Sequence, residues 1–151
     1  MRRLFLLCVG VLLAFPCVAL CDDPKKDEAA IDGTWLAASA ELKGKKLPKK
    51  SIESLKLTLK KGEYEVLAES TDRGTVTYDN SAKPKEIDIK GVDGPNKGKT
   101  FLAIYELKDD TLKICYDHSG SSRPTEFKTR AETKLFLVTY KRQKPKEEKA
   151  Q

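Results

Sequence analysis

Three short stretches of this chain hold side chains of the types that do chemistry. Asp117, His118 and Ser119 are consecutive and carry the acid, base and nucleophile of an acyl-transfer triad. Cys115 and His118, the only histidine, are both zinc-ligand types. Gly94-Pro95-Asn96-Lys97-Gly98-Lys99-Thr100 has the composition of a phosphate-binding loop. Each pattern falls short on spacing or context. A triad needs its members on separate elements that aim the side chains at one another. Zinc needs three or four ligands, and no second His or Cys cluster accompanies these two. A phosphate loop needs a glycine where this chain has Asp93, and it must open a helix rather than the apolar strand that Thr100 begins. The preferred readings are a hairpin loop, a surface-loop histidine and, at Cys115, a small buried apolar group. A reactive thiol or an intermolecular disulfide stays open for Cys115. No catalytic residue, metal or cofactor is assigned, and the chain reads as non-enzymatic.

The elements that must position these residues are short strands. Ile31 to Ala38 is the first. Pro48 to Leu55 makes a brief helix, with Pro48 in its first turn. Leu55, Leu57 and Leu59 then alternate with Lys56, Thr58 and Lys60, which sends leucines to one face and polar groups to water. Lys61-Gly62 turns into Glu63 to Leu67, and Asp72-Arg73-Gly74 turns into Thr75 to Tyr78. Ile87 to Lys90 alternates again, and Gly91 to Lys99 is a loop. Thr100 to Leu107 and Thr111 to Tyr116 flank a turn at Lys108-Asp109-Asp110, the loop Asp117 to Pro124 precedes Thr125-Glu126-Phe127, and Lys134 to Tyr140 is the last strand. The count is about eight. Hairpin-linked strands bury one face and must hide their edges, which an up-and-down antiparallel barrel does by closing on itself. A two-sheet sandwich is the competing architecture.

Residues 1–21 read as an export leader: Arg2 and Arg3, an apolar run from Leu4 to Phe15, and a less hydrophobic exit from Pro16 to Cys21. The run is shorter than the ~20 residues of a membrane helix, so cleavage is preferred to anchoring and the protein is expected to be periplasmic or secreted, not integral to a membrane. Leu20 or Asp22 would be the new first residue, and Leu20 is the wrong neighbour for a lipid on Cys21. Cleavage removes Cys8, Cys17 and Cys21, leaving Cys115 without a disulfide partner in the chain. It also takes Lys and Arg from 29 to 27 against 23 Asp and Glu, so the net charge drops from +6 to +4. That modest excess lies partly in the tail 142–151, read as a disordered basic segment. With export, and with no basic stripe interleaved with aromatics, it argues against nucleic acid as a partner. Residues 22–30 read as a charged linker, and 31–141 as one barrel domain.

Gly33-Thr34-Trp35 resembles the Gly-x-Trp signature of lipocalins, in which the tryptophan plugs the closed end of the barrel. Together with Asp93 to Thr100, Ile104-Tyr105-Glu106-Leu107, Asp110 to Tyr116 and Arg123 to Phe127, it resembles a family of exported lipocalin-like domains of unknown function that is abundant in planctomycete bacteria. The resemblance spans roughly Ile31 to Lys141. It implies an all-β, eight-stranded calycin-type barrel outside the cytoplasm, with Arg142 or Lys141 as the basic residue that covers the tryptophan, and it carries over no catalytic residues.

An eight-stranded barrel has room inside for side chains or for one small ligand. Trp35, Leu57, Tyr64, Val66, Tyr78, Ile87, Phe101 and Tyr105 would line such a cavity or fill it. Asn96, Lys97, Lys99, His118 and Arg123 are the loop residues placed to meet a partner, and Arg123, Glu126 and Arg130 are expected to form ion pairs at a barrel end. Two functions follow: a barrel that binds a small apolar or amphipathic molecule, or a filled module that meets another cell-envelope protein through its loops.

Overall fold

The computed structural model describes residues 24–144. The leader and the end of the tail lie outside the described residues. Helix α1 (Pro24–Ile31) leads into β1 (Gly33–Leu42), a two-residue β2 (Lys45–Lys46) and the single-turn α2 (Lys49–Ile52). Then come β3 (Lys56–Lys60), β4 (Glu63–Leu67), β5 (Thr71–Asp79), β6 (Lys85–Asp93), β7 (Thr100–Lys108), β8 (Thr111–Asp117) and β9 (Leu135–Arg142). Each strand from β3 onward pairs antiparallel with the next, and β1 pairs with both β3 and β9. The sheet therefore closes into an eight-stranded up-and-down barrel of lipocalin-like build, and β2 is an appendage on the end of β1. Closure leaves none of the eight with a free edge. The sandwich is excluded.

The alternation read in the leucines runs around the whole barrel. Leu57, Leu59, Tyr64, Val76, Ile87, Ala103, Tyr105, Leu112, Ile114, Val138 and Tyr140 are buried inward-facing members of one core. In β1 the register shifts between Ala37 and Ser39, where a bulge lets Trp35, Ala37 and Ala40 all face inward despite their uneven spacing. Lys61 (φ 50°) and Gly62 (φ 80°) give the tight β3–β4 hairpin its two left-handed positions.

The two poles differ. At the closed pole, fully buried Trp35 donates from Nε1 to the carbonyl of Ile31, 3.0 Å away, tying α1 beneath the barrel. The short turns 61–62, 80–84 and 109–110 share this end. At the other pole lie the β1–β3 connection and the loops 68–70, 94–99 and 118–134. Ile52 of α2 packs into the core from that side.

Four expectations are corrected. Residues 24–30, read as a charged linker, and Ile31, read as the start of the first strand, form a helix, with Ile31 completely buried and its carbonyl held by Trp35. The turn expected at Asp72-Arg73-Gly74 lies earlier, at 68–70, since these three residues pair with β4 as part of β5. The first helix expected in the chain shrinks from Pro48–Leu55 to Lys49–Ile52. Finally, β9 runs through Arg142, so the barrel takes in the first residue assigned to the tail.

Candidate functional site

A cavity of about 180 Å³ opens from the interior toward the loop-bearing pole. Leu57, Leu59, Val66, Val76, Ile87, Ile89 and Ile114 supply apolar walls, and Tyr64, Phe101, Tyr116 and Tyr140 supply aromatic ones. The barrel is thus neither solid nor wide open. Its residual space resembles the cavity of about 150 Å³ that suffices for benzene in an engineered core.

One wall carries a polar group with a built environment. Asp72 is only 8% exposed, and its carboxylate receives three hydrogen bonds. Tyr64 Oη donates to Oδ2 at 2.8 Å, Asn96 N to Oδ1 at 3.0 Å and Asn96 Nδ2 to Oδ2 at 3.0 Å. Burial, with the hydrogen bond to Asp72 and its charge, pushes the Tyr64 phenol well above its ordinary range and keeps it a donor. Burial does the same to Tyr116 and Tyr140, and the Asp72 charge adds to it at Tyr116.

The loop 94–99 is shaped to bring Asn96 here. Its amides and carbonyls are tied by Gly91 N to Lys99 O (2.9 Å), Gly98 N to Gly91 O (3.0 Å) and Lys97 N to Gly94 O (3.1 Å). A Cβ at Gly91 would stand 2.0 Å from the Asn96 carbonyl oxygen, so only glycine lets the loop fold back this closely. The phosphate-loop look of 94–100 is a hairpin that closes part of the mouth.

His118 stands at the rim of the cavity. Its ring meets Phe101, Tyr116 and Phe136 with centroids 6.0, 5.1 and 5.3 Å away. Burial of that face lowers its pKa, Asp117 opposes the shift and Lys99 reinforces it. Asp117 and Ser119 do not join it in a relay: Ser119 Oγ and N both donate to Asp117, and Ser122 Oγ adds a bond at 3.4 Å. Burial would raise the Asp117 carboxyl, but these bonds outweigh it and lower it. The trio is a turn.

No family model, curated protein or solved structure matches this chain. Its geometry therefore carries the functional reading.

Of the expected interior residues, Leu57, Tyr64, Val66, Ile87 and Phe101 line the cavity. Trp35, Tyr78 and Tyr105 do not. Trp35 plugs the closed pole, and Tyr78 and Tyr105 pack edge to face beneath the cavity at 5.7 Å, with Tyr105 Oη bonded to Asn80. The Tyr78 hydroxyl is buried without a hydrogen-bond partner among the described residues. Among the expected loop residues, Asn96 and His118 reach the mouth, whereas Lys97 and Lys99 are exposed on the hairpin.

Arg123 is engaged within the chain rather than with a partner. Its guanidinium bonds Glu86 (2.9 Å), Asp88 (2.6 Å) and the Ala103 carbonyl (2.7 Å), which clasps the loop 118–134 to the outside of β6 and β7. Glu126 and Arg130 do form their ion pair, at 2.6 Å. A polar groove of about 540 Å³ runs along this loop, and the paired Arg123, Glu126 and Arg130 are among its lining residues. Beneath the loop lies Cys115, fully buried on the outer face of β8, its thiol pushed up to about 11 by burial. Among the described residues, no group of three or more metal-ligating side chains gathers, and no helix is long and apolar enough to cross a membrane.

Asp72, Ile89, Ile114, Tyr116 and Tyr140 are cavity residues that the sequence reading passed over. For Asp72 a signal existed: Asp72, Gly74, Val76 and Tyr78 alternate, which puts the carboxylate on the same inward face as the valine. Asp-Arg-Gly looks like a turn, and turn composition masked the alternation.

Proposed function

We propose that this chain is an exported lipocalin-like binding protein that holds one small amphipathic molecule in the cavity of its barrel. The observation that carries the reading is the cavity itself, about 180 Å³ of mostly apolar space with a buried polar set, Tyr64, Asp72 and Asn96, on one wall. Apolar walls with a few convergent polar groups are what a ligand site requires. The size favours a molecule of one ring or a short alkyl chain, since drug-sized ligands occupy pockets of about 300 Å³ or more. Export and membership of the lipocalin-like family rest on the leader and on the Gly33-Thr34-Trp35 signature with its accompanying segments.

The test is a set of amide correlation spectra of the leader-free protein titrated with benzyl alcohol and toluene. Saturable shifts confined to residues around the cavity, such as Val66, Ile89 and Ile114, are the expected result. Unmoved spectra with both probes at millimolar concentration would overturn the reading and favour the loop-presenting envelope module.

A further inference from the structure

The carboxylate of Asp72 says more about the ligand than the apolar walls do. It is buried, and among the described residues no lysine, arginine or histidine forms an ion pair with it. Buried charges in proteins are ordinarily paired. A carboxylate accepts about four hydrogen bonds, and Tyr64 and Asn96 supply three, two of them to Oδ2 and one to Oδ1. One acceptor position on Oδ1 is left. Asp72 shares the cavity wall with Tyr64, Phe101, Tyr116 and Tyr140. An anionic group, unfilled acceptor capacity and electron-rich ring faces in one enclosure are complementary to an ammonium ion and repel a carboxylate.

Resting on the cavity reading above, we infer that the cavity selects small organic amines. The ammonium group pairs with the Asp72 carboxylate, and a ring or short alkyl body lies against Leu57, Val76, Ile89 and Ile114. Among the described residues no cation pairs with the carboxylate, so ligand charge substitutes for a missing side chain.

The experiment compares benzylamine, benzyl alcohol and benzoate, nearly equal in size and differing in head-group charge, by calorimetric titration at pH 7 into wild-type protein and Asp72→Asn. Benzylamine is expected to bind wild type about tenfold or more tighter than benzyl alcohol, as one charge-assisted bond implies, with benzoate weakest. In Asp72→Asn the preference should fall to about threefold or less by the same bond's loss. Equal binding of benzylamine and benzyl alcohol to wild type overturns the amine inference and leaves the cavity reading standing. A preference that survives Asp72→Asn overturns it too. Failure of all three probes to bind wild type removes both. The wild-type comparison is decisive even if the variant does not fold.

Discussion

The guanidinium of Arg142 lies 4.1 Å from the ring centroid of Trp35, and the same group donates to the carbonyls of Asp32 (2.8 Å) and Ala30 (2.6 Å). The last residue of the last strand thus covers the first buried residue of the first strand and ties down the end of α1. Gly33 makes this possible. It sits at φ 144°, and a Cβ there would come within 2.7 Å of Arg142 Nη1. Trp35→Ala is expected to cost about 3–5 kcal/mol of unfolding free energy through the void it leaves. Arg142→Met should cost about 2 kcal/mol from two charged hydrogen bonds and the ring contact. Gly33→Ala should cost about 1–3 kcal/mol by backbone strain with displacement of Arg142. Urea unfolding followed by Trp35 fluorescence reads the last two, and circular dichroism reads all three.

Val66 projects into the cavity near its mouth. Val66→Phe should occupy that space at a cost within about 1–3 kcal/mol, the usual range for an enlarged core side chain. Binding of benzyl alcohol should be lost, which a titration monitored at Ile114 and Ile89 amides measures. Retained binding in a folded Val66→Phe protein would place the ligand elsewhere.

Cys115 gives a reporter for the clasp at Arg123. In the wild-type protein the thiol is buried and its pKa stands near 11, so a disulfide reagent at pH 8 should label it slowly. Arg123→Ala removes the bonds to Glu86, Asp88 and Ala103. Labelling should then accelerate about tenfold or more, in line with the loss of one charged hydrogen bond from the closed loop. An unchanged rate would mean the loop is held by its other contacts.

Acid should act in two windows. The His118 pKa is lowered from 6.5, so just below pH 6.5 the unfolded chain binds more protons than the folded one and stability falls as pH drops. Asp117 is lowered from 3.8; its contribution is present above that pH and is lost as pH falls through the lowered value. His118→Gln should flatten the dependence of the thermal midpoint between pH 7 and 5 and leave the loss below pH 4 in place. Calorimetric scans of the two proteins across pH 3–8 check both parts.

Tyr78→Phe should stabilise the barrel. Its hydroxyl is buried without a partner among the described residues, and an unsatisfied buried donor costs about 1–3 kcal/mol. The ring contact with Tyr105 needs no hydroxyl. A rise in the urea midpoint at unchanged slope is the expected reading, and a fall would indicate a bound water on that oxygen.

Strand positions were readable because burial on one face writes itself as alternation, as in Leu57/Leu59 and Leu112/Ile114/Tyr116. Closure of the barrel was legible as the need to hide edges. The residues that shape the site were less so, because they depend on long-range meetings. Asn96 reaches Asp72 across 24 positions of chain, and Arg123 reaches Asp88 across 35. Neither pairing has a local pattern. Helix α1 was missed for a related reason: eight residues, half of them charged, make a weak helix alone, and what holds this one comes from Trp35 and Arg142. Arg142 itself was a named candidate for covering the tryptophan, and the two meet.

The pairing of β1 with β9 has one more consequence. Gly33 and Arg142, where the barrel's chain enters and leaves, stand side by side at the closed pole, and the cavity mouth opens at the opposite one. A fusion partner, affinity tag or bead linker joined directly before α1 or after Arg142 would leave the barrel from the pole opposite the entrance. A circular permutant that links the old ends through a short bridge and begins anew within the solvent-facing part of 118–134 would reverse this polarity, with its tethers crowding the rim.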